Sequence, residues 1–163
     1  MNWIVIAKDG NKLLLFSQQV LNYENVGMSL EETKEREKEP CTWETSFYRE
    51  YLNDEFYNKA FSKKEKKMIL TTDVINIPEN DYGISGGNDT KDKLFFLSKD
   101  EAEKYLTKKE LATNGRWYYL RTQSNKQGQF TKIEKRGKIH ERFERKSVFN
   151  CSYFRPAMWI TVD

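Results

Sequence analysis

Residues 117–140 read WYYLRTQSNKQGQFTKIEKRGKIH, and this stretch decides the fold class. Trp117 to Arg121 and Gln129 to Ile133 are rich in aromatic and β-branched residues, and Lys138 to Phe143 continues the pattern beyond a glycine. Such side chains pack well on a pleated surface. Gln127-Gly128 and Arg136-Gly137 punctuate these runs. The stretch therefore predicts a run of strands broken at these dipeptides, and Met158 to Val162 predicts one more strand in a β-rich tail.

Upstream the period changes. Trp43, Phe47, Tyr51, Phe56 and Ala60 recur at spacings of mostly four, which lines them along one helical face. Three Ser/Thr-x-x-Glu boxes follow: Ser62 with Glu65, Ser98 with Glu101, and Thr107 with Glu110. Each satisfies free N–H groups at a helix start, so three short helices are expected. Asn80 to Asp92, reading NDYGISGGNDTKD, predicts an irregular loop, and Lys93 to Leu97 a buried strand. At the front, Trp3 to Ala7 and Lys12 to Ser17 flank Asp9-Gly10 and predict a β-hairpin. Ser29 to Glu39, SLEETKEREKE, is almost wholly charged, so residues 29–40 are expected to be a solvated loop or insertion ended by Pro40. The whole predicts one α+β domain over residues 1–163, with an N-terminal β-hairpin, several short helices in the first two thirds and a β-rich C-terminal tail.

The composition bounds the function. Charged residues make up 33% of the 163 positions, but 10 Phe, 9 Tyr and 4 Trp supply enough buriable surface for a core. A net charge of +3 is too small a field to argue for nucleic acid or anionic lipid. Cys41 and Cys151 stand far apart and outside any C-x-x-C pair, so separate thiols are expected, not a zinc site. No apolar run is long enough for a membrane span and Met1 to Ser17 does not read as a secretory leader, so a cytoplasmic location is the default expectation. Trp3 stands so near the start that the chain also reads as a domain cut from a longer protein.

Four blocks carry a resemblance: TWETSFYREYLNDEFYNKAFSKKEK (42–66), TKDKLFFLSKDEAEKY (90–105), WYYLRT (117–122) and RPAMWI (155–160). In that order they resemble a bacterial domain of unknown function, family 6273 of that series, found in Firmicutes and their mobile elements. The family pattern is similar to W-x-x-S-x-x-R-x-x-L-N, then T-x-D-K-[VL]-F-x-L-S, W-W-L-R-S and R-P-A-x-W-I. Tyr118 and Thr122 depart from it, and the resemblance covers nearly the whole chain. It implies architecture more than activity. The tail further resembles C-type-lectin-like folds and their formylglycine-generating relatives, so a C-type-lectin-like mixed domain is expected by analogy.

Trp43, Trp117 and Trp159 are expected in the core, and Arg49, Arg121 and Arg155 as structural braces paired with Asp92, Glu44 or backbone carbonyls. Asn88, Asp89 and Asp92 invite a calcium reading, but the spacing lacks the twelve-residue loop and its bidentate Glu, so a turn is expected and no metal or other cofactor. From Lys126 to Lys146, eight Lys or Arg face three Glu. That strip reads as solvated strand edges or as a surface for an acidic partner. His140 has no nucleophile signature beside it, and Cys151 lacks the second cysteine of the formylglycine-generating type, which argues against an enzyme. The expected function is a non-catalytic recognition or scaffold domain binding protein or glycan through residues 124–153. Tyr119, Arg136, Lys138, Arg142 and Tyr153 are its candidate contacts. The alternative is a mobile-element or phage structural protein acting through assembly. The two ends of the β-rich tail are expected to lie side by side.

Overall fold

In the computed structural model, residues 1–22, 42–113, 115–142 and 153–162 are described. β1 (Trp3–Asp9) and β2 (Lys12–Ser17) form the expected hairpin, with Asp9 opposite Lys12 and a two-residue turn that begins at Gly10. Gly10 has φ +58. A Cβ there would meet nothing, so the backbone conformation, not crowding, selects glycine. β8 (Ala157–Thr161) pairs antiparallel with the other side of β2, placing Trp159 opposite Leu14. The two ends of the chain thus share one sheet of order β1-β2-β8.

Ser46 caps the main helical stretch by accepting from Arg49 N–H. The stretch runs through α1 (Phe47–Tyr51), a π-helical turn over Leu52–Phe56, and α2 (Tyr57–Ala60). The widened turn falls where the apolar spacing goes from four to five, between Tyr51 and Phe56. One extra residue is absorbed without rotating the apolar face away from the core. Trp43 stands in the turn ahead of the helix, because the helix begins only after its cap. α3 (Lys63–Met68), α4 (Lys99–Tyr105) and α5 (Lys108–Leu111) all start at the expected boxes, and each box is closed by both of its reciprocal hydrogen bonds.

A small sheet pairs β3 (Thr72–Val74) with β4 (Thr90–Asp92). The strand expected over Lys93 to Leu97 is a correction: this run forms a two-bond bridge at Phe95, which exchanges both backbone bonds with Ala157, and a single further bond at Leu97, whose C=O accepts from Arg121 N–H. The Asn53 side chain replaces a neighbouring strand, accepting from Lys93 and Leu94 N–H and donating to Leu94 C=O. The third sheet has order β5-β6-β7, from β5 (Tyr118–Gln123), β6 (Phe130–Ile133) and β7 (Ile139–His140). β7 is shorter than Lys138 to Phe143, whose last residue lies outside the described ones. So do residues 29–40, Cys41 and Cys151.

The tail expectation also needs correcting. Arg155 to Ile160 does not pair along β5; its strand goes to β2, and the backbone meets β5 just ahead of it, where Phe154 forms a parallel bridge to Tyr119. Phe154 bridges Leu21 as well, so it joins the first and third sheets. The core lies between these layers. Phe154 stacks on Phe96 at 5.8 Å, Phe96 meets Trp43 at 5.0 Å, and Tyr48 touches Phe96, Tyr119 and Phe154. Offset and tilted ring pairs of this kind add to area burial.

Candidate functional site

The polar residues of the four sequence blocks meet in three buried clusters. In the first, Asp92 is almost fully buried and accepts from Trp43 Nε1 at 2.9 Å, Arg49 Nε at 2.7 Å and Thr90 Oγ1 at 2.5 Å. Arg49 Nη1 donates to Glu44 C=O, while the Glu44 carboxylate holds Asn88. A charge so far from water is tolerable only when its lone pairs are occupied, as they are here.

Arg121 anchors the second cluster. Its five N–H donors reach Asn76 Oδ1, Phe96 C=O, Ile75 C=O and both oxygens of Glu101. Glu101 also closes the α4 capping box, so one carboxylate fixes a helix start and a buried guanidinium together. Thr122 Oγ1 accepts from Lys99 N–H beside it. The adjoining cleft, lined by Ile75, Asn76, Arg121 and Gln123, has room for about one water molecule.

Arg155 anchors the third. It donates to Ser17 C=O at 2.9 Å and Glu110 C=O at 2.6 Å, and lies 4.1 Å over the Phe16 ring and 5.1 Å from Tyr118. Burial lowers its pKa from the ordinary arginine value, against the opposing pull of Tyr118. Burial likewise pushes the Tyr118 hydroxyl up to about 12, while that hydroxyl donates to Leu111 C=O.

Trp117 departs from the expected core position. It is 38% exposed and its ring packs on His140 at 5.1 Å, because it precedes β5 instead of lying within it. His140 Nε2 in turn lies 3.2 Å from Glu134. Trp159 is half-buried, and its carbonyl accepts from Leu70 N–H.

The candidate contact residues are dispersed. Tyr119 is buried among Tyr48 and Phe130, with the Lys132 ammonium over its ring. Tyr153 is half-buried and carries the Arg116 guanidinium on its face. Arg136 and Lys138 are exposed at the β6-β7 turn, while exposed Arg142 lies beyond the far end of β7, where Glu141 C=O accepts from Asn125 N–H. The three cations therefore do not form one patch. The calcium reading is not supported either: Asn88 turns to Glu44, Asp89 accepts from Asn76 N–H, and Asp92 faces Trp43 and Arg49. Among the described residues no three His, Cys, Asp or Glu converge as metal ligands.

Sequence reasoning missed Asn53, Asn76 and Asn80, which bind backbone carbonyls or amides across long sequence separations. The L-N of the first block was the available signal for Asn53. Among the described residues no helix is long and apolar enough to cross a membrane. Comparison with protein families matches residues 10–162 to a family described as Domain of unknown function (DUF6273). Neither the curated proteins nor the solved structures contain a match.

Proposed function

This chain belongs to that domain-of-unknown-function family, and on that premise we propose that it is a non-catalytic recognition or scaffold domain of C-type-lectin-like architecture. It contacts a protein or glycan through the polar segment 124–153. What supports the reading is the division of labour among its charged groups. Inside the fold Arg49 and Arg121 close on the carboxylates of Asp92 and Glu101, and Arg155 on backbone carbonyls, whereas the side chains of Arg136, Lys138 and Arg142 project from the tail without a partner among the described residues. Paired groups hold the scaffold, and unpaired exposed ones are left for a second molecule.

Alanine replacement of Arg136, Lys138 and Arg142 tests it. Binding to a purified, crosslink-identified partner should weaken while the melting temperature stays unchanged; unchanged binding removes the reading. A second reading, assembly of like copies, is favoured by β1. Among the described residues it pairs only with β2, and Val5 on it is 54% exposed. Light scattering across a concentration series separates the two, since a strict monomer rules out assembly.

A further inference from the structure

The fold gathers a basic surface that no single stretch of sequence contains. The β6-β7 turn is closed by Glu134 N–H donating to Lys138 C=O and Gly137 N–H donating to Glu134 C=O. Gly137, at φ +84, presses on α5: a Cβ there would lie 3.0 Å from Lys108 C=O and 3.1 Å from Ala112 N. Thr113 N–H donates to Lys135 C=O, which sews the chain after α5 to the same turn. Thr113 and Arg116 bond to each other in both directions. Lys108, Lys109, Arg116, Lys135, Arg136 and Lys138 are thereby brought to one end of the molecule, all six exposed.

Segments 108–116 and 134–138 hold these six cations and two carboxylates, Glu110 and Glu134, a local balance of +4. The whole chain carries +3, so all remaining residues together sum to −1. The charge is thus segregated, not spread. Both local carboxylates are also engaged, Glu110 in the α5 capping box and Glu134 with His140. The side chains of the four lysines and Arg136 have no hydrogen bond or ion pair among the described residues. The strip imagined from Lys126 to Lys146 is divided in space, with Lys132 drawn onto Tyr119 and Arg142 beyond the opposite end of β7.

We infer that this end of the molecule, α5 together with the β6-β7 turn, docks an acidic segment of a partner protein, one rich in Asp and Glu. The inference rests on the recognition reading above and specifies its ligand. Exposed ammonium groups on flexible four-carbon stems suit carboxylates offered along a flexible chain. Single-stranded nucleic acid would want several bare aromatic rings among the cations, but Tyr153 is covered by Arg116, and the exposed Trp117 is a single ring with His140 packed against it at a tilt.

The test uses a fluorescein-labelled peptide of eight alternating Asp and Glu residues, titrated with the full chain at low ionic strength. Lys108→Glu with Lys109→Glu, and separately Lys135→Glu with Arg136→Glu, should each weaken binding about tenfold, and salt should weaken the wild type as the Debye length shortens. Lys63→Glu with Lys64→Glu, two exposed positions on α3 outside this surface and outside segment 124–153, makes the same charge change elsewhere and should stay within about twofold of wild type if place matters more than net charge. Circular dichroism melting should show all three variants folded; Gln replaces Glu in any that is not. Equal losses from all three pairs overturn the inference, as does tighter binding of a single-stranded oligonucleotide of equal charge. If the peptide does not bind while the partner assay above still responds to Arg136 and Lys138, this inference falls and the recognition reading stands.

Discussion

Replacing Asp92 with alanine should be among the most damaging single changes in the chain. The carboxylate accepts three hydrogen bonds, and its loss leaves the fully buried Trp43 indole N–H and the buried Thr90 hydroxyl without an acceptor. An unsatisfied buried donor costs about 1–3 kcal/mol. Arg49 loses its partner too, but its side chain is 30% exposed and can turn to water, so its share is smaller. The sum is roughly 3–5 kcal/mol, the range seen when one member of a buried pair is removed. In urea, with a slope of about 2 kcal/mol per molar, the midpoint should fall by roughly 1.5–2.5 M with the slope unchanged. Tryptophan fluorescence reads the transition, because Trp43 is itself in the cluster. Asp92→Asn keeps the size and one acceptor oxygen, and should fall between alanine and wild type. A midpoint shift of under about 0.3 M for Asp92→Ala, the scale of an ordinary surface change, would refute the account of this cluster.

Ser98→Ala should cost about 1 kcal/mol or somewhat more, measured by thermal melting, because its box also positions Glu101 for Arg121; Ser62→Ala, on an exposed helix, should cost less. Gly137→Ala forces an L-residue to φ +84 and crowds Lys108 C=O, so a loss of about 1–3 kcal/mol is expected, and exchange of the Thr113 amide should accelerate if the turn lifts from α5. Tyr118 and Tyr51 are both held up at about 12 in the folded chain, against an ordinary value of 10.0, chiefly by burial. Their contribution is fully present below pH 10.0 and is lost as pH rises through about 12, since the unfolded chain ionises first. A melting temperature that stays flat across that window would contradict their burial. At the acid end, Thr107 bonds lower the Glu110 pKa from 4.5, so the α5 cap should weaken as pH falls below that value, seen as loss of helical ellipticity.

The helix starts were legible because a capping box is a local device: Ser98 and Glu101 satisfy each other within one turn whatever surrounds them. The opening hairpin was legible for the same reason, its turn residues and strand residues being neighbours in sequence. The π-helical turn was half legible, as a break in the apolar spacing at Phe56. Lys93 to Leu97 misled because a fully apolar run looks alike whether a strand or an asparagine side chain serves its backbone. Trp117 misled because an aromatic at a strand boundary belongs to either side of it.

By itself, then, the sequence determined the α+β class, the places where helices begin, the opening hairpin and membership of the family, all set by contacts within a few residues or by the order of motifs. Only the tertiary structure decided that the last strand joins β2 instead of β5, that Asp92 gathers Trp43 and Arg49, and that α5 meets the β6-β7 turn in one basic surface. Those partners lie tens of residues apart along the chain. Their pairing depends on which buried donors and acceptors can be satisfied together, a condition that only the packed molecule meets.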